Sequence, residues 1–190
     1  RGQPIHGWII IDKPEGMTSS RVVARVRAIT NAAKAGHAGT LDPLATGVLP
    51  IALGEATKTV AWVVDRSKAY RFTVRWGEER DTDDTAGNVT KTSEERPSEV
   101  EIRATLPQFI GNIEQIPPAY SAIKVGGQRS YSLARANEAI SLAARKVRVE
   151  SVEVVQTPDR DHAIFEVHCG KGVYIRSLAR DLARSLGTFG

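Results

Sequence analysis

The chain is organised around the stretch Gly36-His37-Ala38-Gly39-Thr40-Leu41-Asp42-Pro43-Leu44-Ala45-Thr46-Gly47. Glycine lets a backbone come close to a ligand because no Cβ stands in the way. The stretch contains one carboxylate, Asp42, and leads into the apolar run 48–53, which predicts a buried strand. It therefore brings a single carboxylate, on a glycine-containing loop, to the edge of a hydrophobic core.

Two interpretations of the dipeptide Asp42-Pro43 are open. Proline fixes its own φ and disfavours the helical region for the residue before it, so Asp42 is expected to be extended and stiff. Asp-Pro is also a common way to begin a turn, and a lone Asp-Pro is more often a turn than a functional site. Any functional assignment therefore depends on the residues around the dipeptide.

The length and composition predict one globular domain. The 190 residues are 41% hydrophobic and 6% aromatic, and a domain of this size buries about 70% of the surface of its unfolded chain. We expect neither a membrane span, which takes roughly 20 apolar residues, nor a signal peptide. The single cysteine, Cys169, cannot form an internal disulfide, which favours a reducing cytoplasm.

Charge is distributed unevenly along the chain. There are 26 lysines and arginines against 22 acids, which gives a net charge of +4 and a pI near 9.4. Acids concentrate between Glu78 and Glu101, whereas lysine and arginine dominate from Lys124 to Arg148. The net charge alone could serve solubility, but the separation of the two stretches favours a polyanionic partner, with nucleic acid the obvious class.

The hydrophobic pattern predicts an α/β fold of the α+β type. Short apolar or alternating runs predict strands at residues 7–12, 48–53, 68–76, 145–155 and 163–169. Helices are predicted after Thr18, over 56–65, from the capping box at Ser98 to near Gly111, and after Tyr174. The alternation in 145–155 slips near Ser151, which predicts a β-bulge there.

Two polar segments are predicted to face solvent. The acidic segment from Asp81 to Asn88 lacks the correctly placed glycine and the terminal glutamate of a calcium loop, so it is interpreted as a solvated turn. In the last predicted helix Arg176, Arg180 and Arg184 recur every four residues. A solvated helix face accounts for Arg180 and Arg184.

The central stretch closely resembles the catalytic motif of the TruB family of tRNA pseudouridine synthases. The segment 13–19, Lys-Pro-Glu-Gly-Met-Thr-Ser, resembles a second motif whose role in the family is mainly structural, and Lys13 is expected to be structural here. The segment 170–178, Gly-Lys-Gly-Val-Tyr-Ile-Arg-Ser-Leu, resembles a third. The resemblance runs from Gly7 to Gly187. It implies the pseudouridine synthase fold, in which a mixed, largely antiparallel central sheet is flanked by helices and carries a thumb-like insertion.

The resemblance also implies an activity, the isomerisation of uridine to pseudouridine in the T loop of tRNA. The modified position is conventionally numbered 55. The target uridine lies inside a folded loop, so the enzyme must flip the base into its pocket.

The resemblance assigns roles to individual residues. Asp42 matches the catalytic aspartate, Arg176 the arginine that pairs with it, and Tyr70 the tyrosine that stacks on the uracil and could relay the proton lost from C5. Tyr174 matches a residue that contacts the target nucleotide, and His37 matches the histidine that enters the RNA where the base has left. Without the resemblance, Tyr70 is a tyrosine at the edge of the core and His37 an ordinary loop histidine. Whether Asp42 attacks the sugar, attacks the base or removes the 2′ proton stays open.

The family pattern also bounds the domain. It implies a catalytic domain over residues 1–190 with the insertion at about 123–145, where Lys124, Arg129 and Arg135 are expected to contact the RNA backbone. Family members usually continue into a small PUA-like RNA-binding domain, so we expect this chain to be a fragment that lacks it.

No cofactor and no metal are expected. The isomerisation breaks a C1′–N1 bond and forms a C1′–C5 bond without redox change, and the sequence carries no dinucleotide or phosphate-loop motif. The histidines show no ligand spacing, and His168 and Cys169 on one strand would face opposite sides. We expect a cytoplasmic monomer that acts on the T arm of tRNA and has no membrane partner.

Two other functions compete with isomerisation. A non-catalytic tRNA-binding or tRNA-folding module would need the basic surface but not Asp42, Tyr70 and Arg176 together. A base-releasing nucleoside glycosylase would normally use two carboxylates. An isomerase that keeps its leaving base needs one carboxylate and the exclusion of water, which the single carboxylate of the central stretch favours.

Overall fold

The computed structural model describes residues 2–121, 124–125, 128–129 and 142–190 of the chain. These residues belong to two units, 1–66 and 67–190. No helix in the described ranges combines the length and the apolar character needed to cross a membrane.

The first unit is built on a three-stranded antiparallel sheet, counted over the described residues. Strand β3 lies at its centre, between β1 and β2. The elements in chain order are β1 (Gly7–Lys13), α1 (Ser19–Thr30), β2 (Ala35–His37), β3 (Gly47–Leu53), a 3₁₀ helix (Gly54–Thr59) and α2 (Val60–Val64).

Helix α1 packs its valine stripe against the central strand of this sheet. The helix begins after Thr18, whose hydroxyl accepts a hydrogen bond from the Arg21 N–H at 3.2 Å and so caps one of the unpaired donors of the first turn. Side chains of α1, of β3 and of the turn after α1 form one apolar cluster, whose buried members are Val22, Val26, Ala32, Leu49, Ile51 and Leu53. The predicted strands 7–12 and 48–53 and the helix after Thr18 are confirmed.

The second unit is built on a four-stranded antiparallel sheet in the order β4-β11-β10-β7, among the residues that the structure describes. Its strands are β4 (Lys68–Arg75), β5 (Glu78–Arg80), β6 (Val89–Thr92), β7 (Gly111–Gln115), β8 (Lys124–Val125), β9 (Gln128–Arg129), β10 (Arg145–Asp159) and β11 (His162–Cys169). Its helices are α3 (Glu99–Thr105), a 3₁₀ helix (Leu106–Phe109) and α4 (Ile175–Ser185). The pairs β5-β6 and β8-β9 are separate hairpins.

The core of this unit lies between the sheet and the leucine face of α4. Phe165 is fully buried at its centre, stacked on Phe72 with ring centroids 5.3 Å apart and met edge-on by Trp76. Leu178 and Leu182 of α4 close the core from the other side, each 1% exposed. Burial of this set stabilises the sheet that carries Tyr70 and the helix that carries Arg176.

The predicted mixed α+β class is confirmed, and several local predictions hold as well. The pairing of β10 with β11 shifts register between Val149 and Ser151, as the predicted bulge requires. Ser98 and Glu101 form the predicted capping box. Helix α3 is shorter than predicted, because the chain tightens into a 3₁₀ turn at Pro107.

The predicted insertion at 123–145 falls largely outside the described residues, and so does Arg135. Lys124 and Arg129 belong to the short hairpin β8-β9, where their backbones lie opposite each other in the antiparallel register.

Candidate active site

The turn that carries Asp42 is anchored on both sides of the carboxylate. The Ser19 hydroxyl accepts a hydrogen bond from the Leu41 N–H at 3.0 Å and donates to the Leu41 carbonyl at 3.1 Å. On the other side, the Gly16 N–H donates to the Pro43 carbonyl at 2.7 Å. The half-buried Asp42 is therefore held between two fixed peptides, and the predicted stiffness of this segment has a structural cause.

Lys13 joins this anchor from inside the protein. Its side chain is fully buried, and its ammonium donates to the backbone oxygens of Pro14, Met17 and Pro43 at 2.9, 2.8 and 3.3 Å. Burial lowers the pKa of Lys13 below its ordinary value, and the carboxylates of Asp42 and Glu15 partly offset this effect. The expected structural role of Lys13 is confirmed, since the residue ties β1 to the Asp42 turn.

His37 lies at the end of β2, at the entrance of the same loop. Its Nδ1 is hydrogen-bonded to the Gly39 carbonyl. Gly39 has a φ of +106°, a conformation that residues with a Cβ rarely adopt, so glycine is required for this turn. The loop places the half-buried His37 and Asp42 on one short, rigid segment of the first unit.

Tyr70 lies on β4 in the second unit. It is half-buried, packs against the apolar core and stands opposite Val167 of β11. The alternation that predicted this strand is confirmed, because Val74 and Trp76 on the same face are fully buried. Tyr70 thus lies on the same strand face as Val74 and Trp76, but at the end of that face where burial is only partial.

Tyr174 and Arg176 lie together where the chain enters α4. Gly172 has a φ of +84°, which allows the tight turn before this entrance. Tyr174 itself is the residue that precedes the helix. The side-chain amide of the buried Gln115 donates to the Tyr174 carbonyl at 3.2 Å and accepts from the Tyr174 N–H at 3.0 Å.

Backbone carbonyls hold the guanidinium of Arg176. Its Nη1 donates to the Thr82 oxygen and its Nη2 to the Tyr120 oxygen, both at 3.0 Å. The Asp84 carboxylate lies 3.8 Å from Nη1. The side chain is only 12% exposed, so its direction is fixed by the two loops that supply these oxygens.

The predicted solvated arginine face is wrong for Arg180. This residue is 8% exposed, and its guanidinium donates to Asp83, Asp181 and the Ile116 carbonyl at 2.8 to 2.9 Å. The prediction failed because the partner Asp83 lies 97 positions away in sequence, and helical periodicity carries no information about it. Arg184 is half-exposed but also paired, with Glu79 at 2.7 Å.

The acidic segment 81–84 is correspondingly not a solvated turn. The side chain of Asp83 is 11% exposed and that of Asp84 is 21% exposed. Burial raises the pKa of Asp83, and the attraction of Arg180 offsets only part of this effect. The segment is a half-buried loop that is held to α4 by the ion pair between Asp83 and Arg180.

Replacing Arg180 with methionine is expected to lower the free energy of unfolding by about 3–5 kcal/mol. The variant leaves the Asp83 carboxylate buried without its ion-pair partner, which costs more than the lost attraction alone. Urea unfolding measures the effect. The matched control is Arg160→Met in the exposed turn after β10, which should change stability by less than about 0.5 kcal/mol. Equal stability of the two variants would show that Asp83 does not depend on Arg180.

The sequence motifs assigned no individual role to Ser19 or Gln115, and the acidic segment 81–88 was interpreted as solvated. Ser19 lies inside a motif that was given a structural role, and a glutamine at a strand end has no periodic signal. Matching the acidic segment to the regularly spaced arginines would have suggested the ion pair between Asp83 and Arg180.

In the described part of the chain, neither the cysteine nor a metal-binding cluster offers a competing site. Burial raises the pKa of Cys169 to about 11, so its thiol stays protonated and unreactive at neutral pH. Among the described residues, no cluster of three or more histidine, cysteine, aspartate or glutamate side chains is arranged to hold a metal ion.

Comparison with known sequences places the chain in a well-populated group. A sequence model described as TruB family pseudouridylate synthase, N-terminal domain, matches residues 27–175. The tRNA pseudouridine synthase B of Brucella ovis is 57% identical over 190 residues, and that of Bradyrhizobium diazoefficiens is 60% identical over 186 residues. These alignments cover 100% and 98% of this chain but only 59% and 54% of the relatives. The chain thus spans somewhat more than half of their length.

Solved structures share the fold. A chain in the crystal structure of a Cbf5-Nop10-Gar1 complex superposes with a TM-score of 0.72 at 32% identity, over 96% of this chain and 45% of that one. A chain in the structure of an H/ACA RNP bound to a substrate RNA containing 2′-deoxyuridine gives a TM-score of 0.69 at 30% identity, over 96% of this chain and 44% of that one.

Proposed function

Because the chain belongs to the TruB family of pseudouridylate synthases, we propose that it isomerises uridine to pseudouridine in tRNA. The family prediction made from the motifs is confirmed. The observation that carries the proposal is Asp42, the single carboxylate of the stretch 36–47, half-buried in a turn whose two flanking peptides are fixed by hydrogen bonds. The relatives that share this segment are named tRNA pseudouridine synthase B.

The proposed catalytic residues are Asp42, Tyr70 and Arg176, which the resemblance to the family motifs assigns to these roles. In the proposed reaction, Arg176 orients Asp42 through charge-assisted hydrogen bonds. Tyr70 stacks on the uracil while the C1′–N1 bond is broken, and the base turns within the pocket before C1′ bonds to C5. The proton on C5 then leaves, and Tyr70 could relay it.

The proposed substrate is the T arm of tRNA, modified at the position conventionally numbered 55. His37 would enter the RNA where the base has been extruded, and Tyr174 would contact the target nucleotide. Recognition would depend on loop shape, phosphates and stacking, because A-form grooves disclose little sequence to side chains. Lys124, Arg129 and Arg135 would supply backbone contacts, so affinity should fall with salt.

The decisive test is to identify the product of the full-length protein acting on an unmodified tRNA transcript. Digestion to nucleosides followed by thin-layer chromatography separates pseudouridine, uridine and free uracil. Pseudouridine is the expected product. Free uracil would identify a glycosylase instead, and an unchanged transcript that is nevertheless bound would identify a non-catalytic module.

Two substitutions at Tyr70 separate stacking from proton transfer. Tyr70→Leu removes the ring, so its rate at saturating tRNA should fall by about tenfold or more. Tyr70→Phe keeps the ring and loses the hydroxyl, so any additional defect measures the contribution of the hydroxyl. Single-turnover kinetics measure both. A fully active Leu variant would mean that Tyr70 is only a structural residue of β4.

A further inference from the structure

The side chains that surround Tyr174 have no role in the chemistry described so far. Gln115 is 1% exposed and uses its amide on the Tyr174 backbone alone among the described hydrogen bonds, as donor at 3.2 Å and as acceptor at 3.0 Å. A buried glutamine is uncommon. Because the Gln115 amide bonds both the N–H and the C=O of Tyr174, it fixes the orientation of the peptides on both sides of Tyr174.

Arg145 holds the other end of the same residue. Its guanidinium carbon lies 4.8 Å from the centre of the Tyr174 ring, in cation–π geometry. Its Nη2 also donates to the Gly172 carbonyl at 3.4 Å, in the turn just before Tyr174. The buried Nε of Arg145 has no hydrogen-bond partner among the residues that the structure describes.

The two residues are brought together by the sheet. Arg145 is the first residue of β10 and Gln115 the last of β7, and they are direct partners in the antiparallel register. Side chains of directly opposed residues project from the same face of a sheet, so both reach Tyr174. This pair closes the ladder at the point where the predicted insertion joins the sheet.

The neighbouring bonds make the junction rigid. The Ile116 carbonyl, one residue after Gln115, accepts from the Ser177 hydroxyl at 2.8 Å and from Arg180 Nη2 at 2.8 Å. The end of β7 is thus fastened to the first turn of α4, which carries Arg176. A displacement of Tyr174 would break its hydrogen bonds with Gln115 or its cation–π contact with Arg145.

We propose that Gln115 and Arg145 form a clamp that positions Tyr174 for the target nucleotide, with Gln115 setting its backbone and Arg145 setting its ring. The inference rests on the proposed function, because Tyr174 acts on a nucleotide only if the protein binds one. Neither clamp residue needs to touch the substrate. They are positioning residues, and their effect passes through the Tyr174 side chain.

A double-mutant cycle with Tyr174 tests this dependence in the full-length protein. Gln115→Met removes both hydrogen bonds at similar volume, and Arg145→Met removes the cation from the ring. Each is expected to lower kcat by about tenfold, with the KM for tRNA changed by less than about threefold. In a Tyr174→Leu background the same changes should lower kcat by less than about twofold. Losses of equal size in both backgrounds would overturn the clamp, because a general structural defect does not depend on the Tyr174 ring.

Matched controls come from the same two strands. Asn112→Met on β7 and Arg148→Met on β10 alter exposed residues that pair with each other further along the ladder. Both should keep kcat within about twofold. Arg145→Lys keeps the charge and loses the planar group, so partial rescue relative to Arg145→Met is expected. If the two control variants lose as much kcat as the clamp variants, the clamp is overturned.

Amide hydrogen exchange supplies a readout that needs no catalysis. Gln115→Met should speed exchange of the Tyr174 N–H by at least about tenfold, because its acceptor is lost. If exchange of the Tyr174 N–H is unchanged in Gln115→Met while the wild-type protein forms pseudouridine, the clamp is overturned and the proposed function stands. Failure of the wild-type protein to form pseudouridine would overturn the proposed function and with it the purpose of the clamp. Arg145→Met serves as the test if Gln115→Met fails to fold.

Discussion

Asp42→Asn is expected to abolish pseudouridine formation, with a loss of at least about 10³-fold in the single-turnover rate. Attack on the sugar, attack on the base and removal of the 2′ proton all require a negatively charged carboxylate at this position. Asparagine keeps the size of the side chain but cannot act as a nucleophile or as a base. The prediction therefore holds for each of the mechanisms that the sequence leaves open.

The fold should survive this substitution. The turn is fixed through the Leu41 and Pro43 peptides, and those bonds do not involve the Asp42 carboxylate. One indirect effect is expected, because the Asp42 charge partly offsets the burial of the Lys13 ammonium. A small fall in thermal midpoint is consistent with the assignment, and tRNA affinity should change little.

Tritium release from tRNA labelled at C5 of uridine measures the reaction of the Asp42 variant directly. Asp12→Asn is the matched control, since Asp12 is an exposed carboxylate on β1 of the same unit. The control should release tritium at the wild-type rate. Measurable turnover by a sequence-verified Asp42→Asn protein would refute the assignment of Asp42 as the essential carboxylate.

Local patterns predicted the elements well because their causes are local. Alternation along residues 68–76 reflects a sheet with one buried face, and the structure has Tyr70 and Val74 on that face. The Thr18 and Ser98 caps are read from a few adjacent residues, and both are present. The order of strands in each sheet has no such local signal and was not predictable from one sequence.

Predictions failed where a side chain is satisfied by distant residues. Arg180 was interpreted as solvated because arginine is rarely buried, yet Asp83 and the Ile116 carbonyl lie within 2.8 Å of its guanidinium. Lys13 and Gln115 are buried for the same reason, each using its polar end on backbone groups. The motif predicted a structural role for Lys13 but not its burial. Such contacts form only when the chain folds and brings distant residues together, so composition and local spacing do not predict them.

The second large effect is expected for Arg176→Lys, which should lower kcat by about 10²-fold and leave tRNA affinity nearly unchanged. The guanidinium reaches the Thr82 and Tyr120 carbonyls with two different nitrogens, each at 3.0 Å. A lysine ammonium is a single point on a flexible stem and cannot span both oxygens in a fixed plane. The positive charge remains in the site, but its direction toward Asp42 in the proposed arrangement is lost.

Whether the substitution changes kcat or KM shows whether Arg176 orients the catalytic carboxylate or contacts a phosphate. Loss of an interaction with the catalytic carboxylate lowers kcat, whereas loss of a phosphate contact weakens tRNA binding. Single-turnover rates at saturating tRNA and filter binding at several salt concentrations separate the two. Arg66→Lys is the matched control, because Arg66 is an exposed arginine outside the proposed catalytic set. Preserved kcat with weakened tRNA binding in Arg176→Lys would make this residue a phosphate contact, and Asp42 would then need another partner.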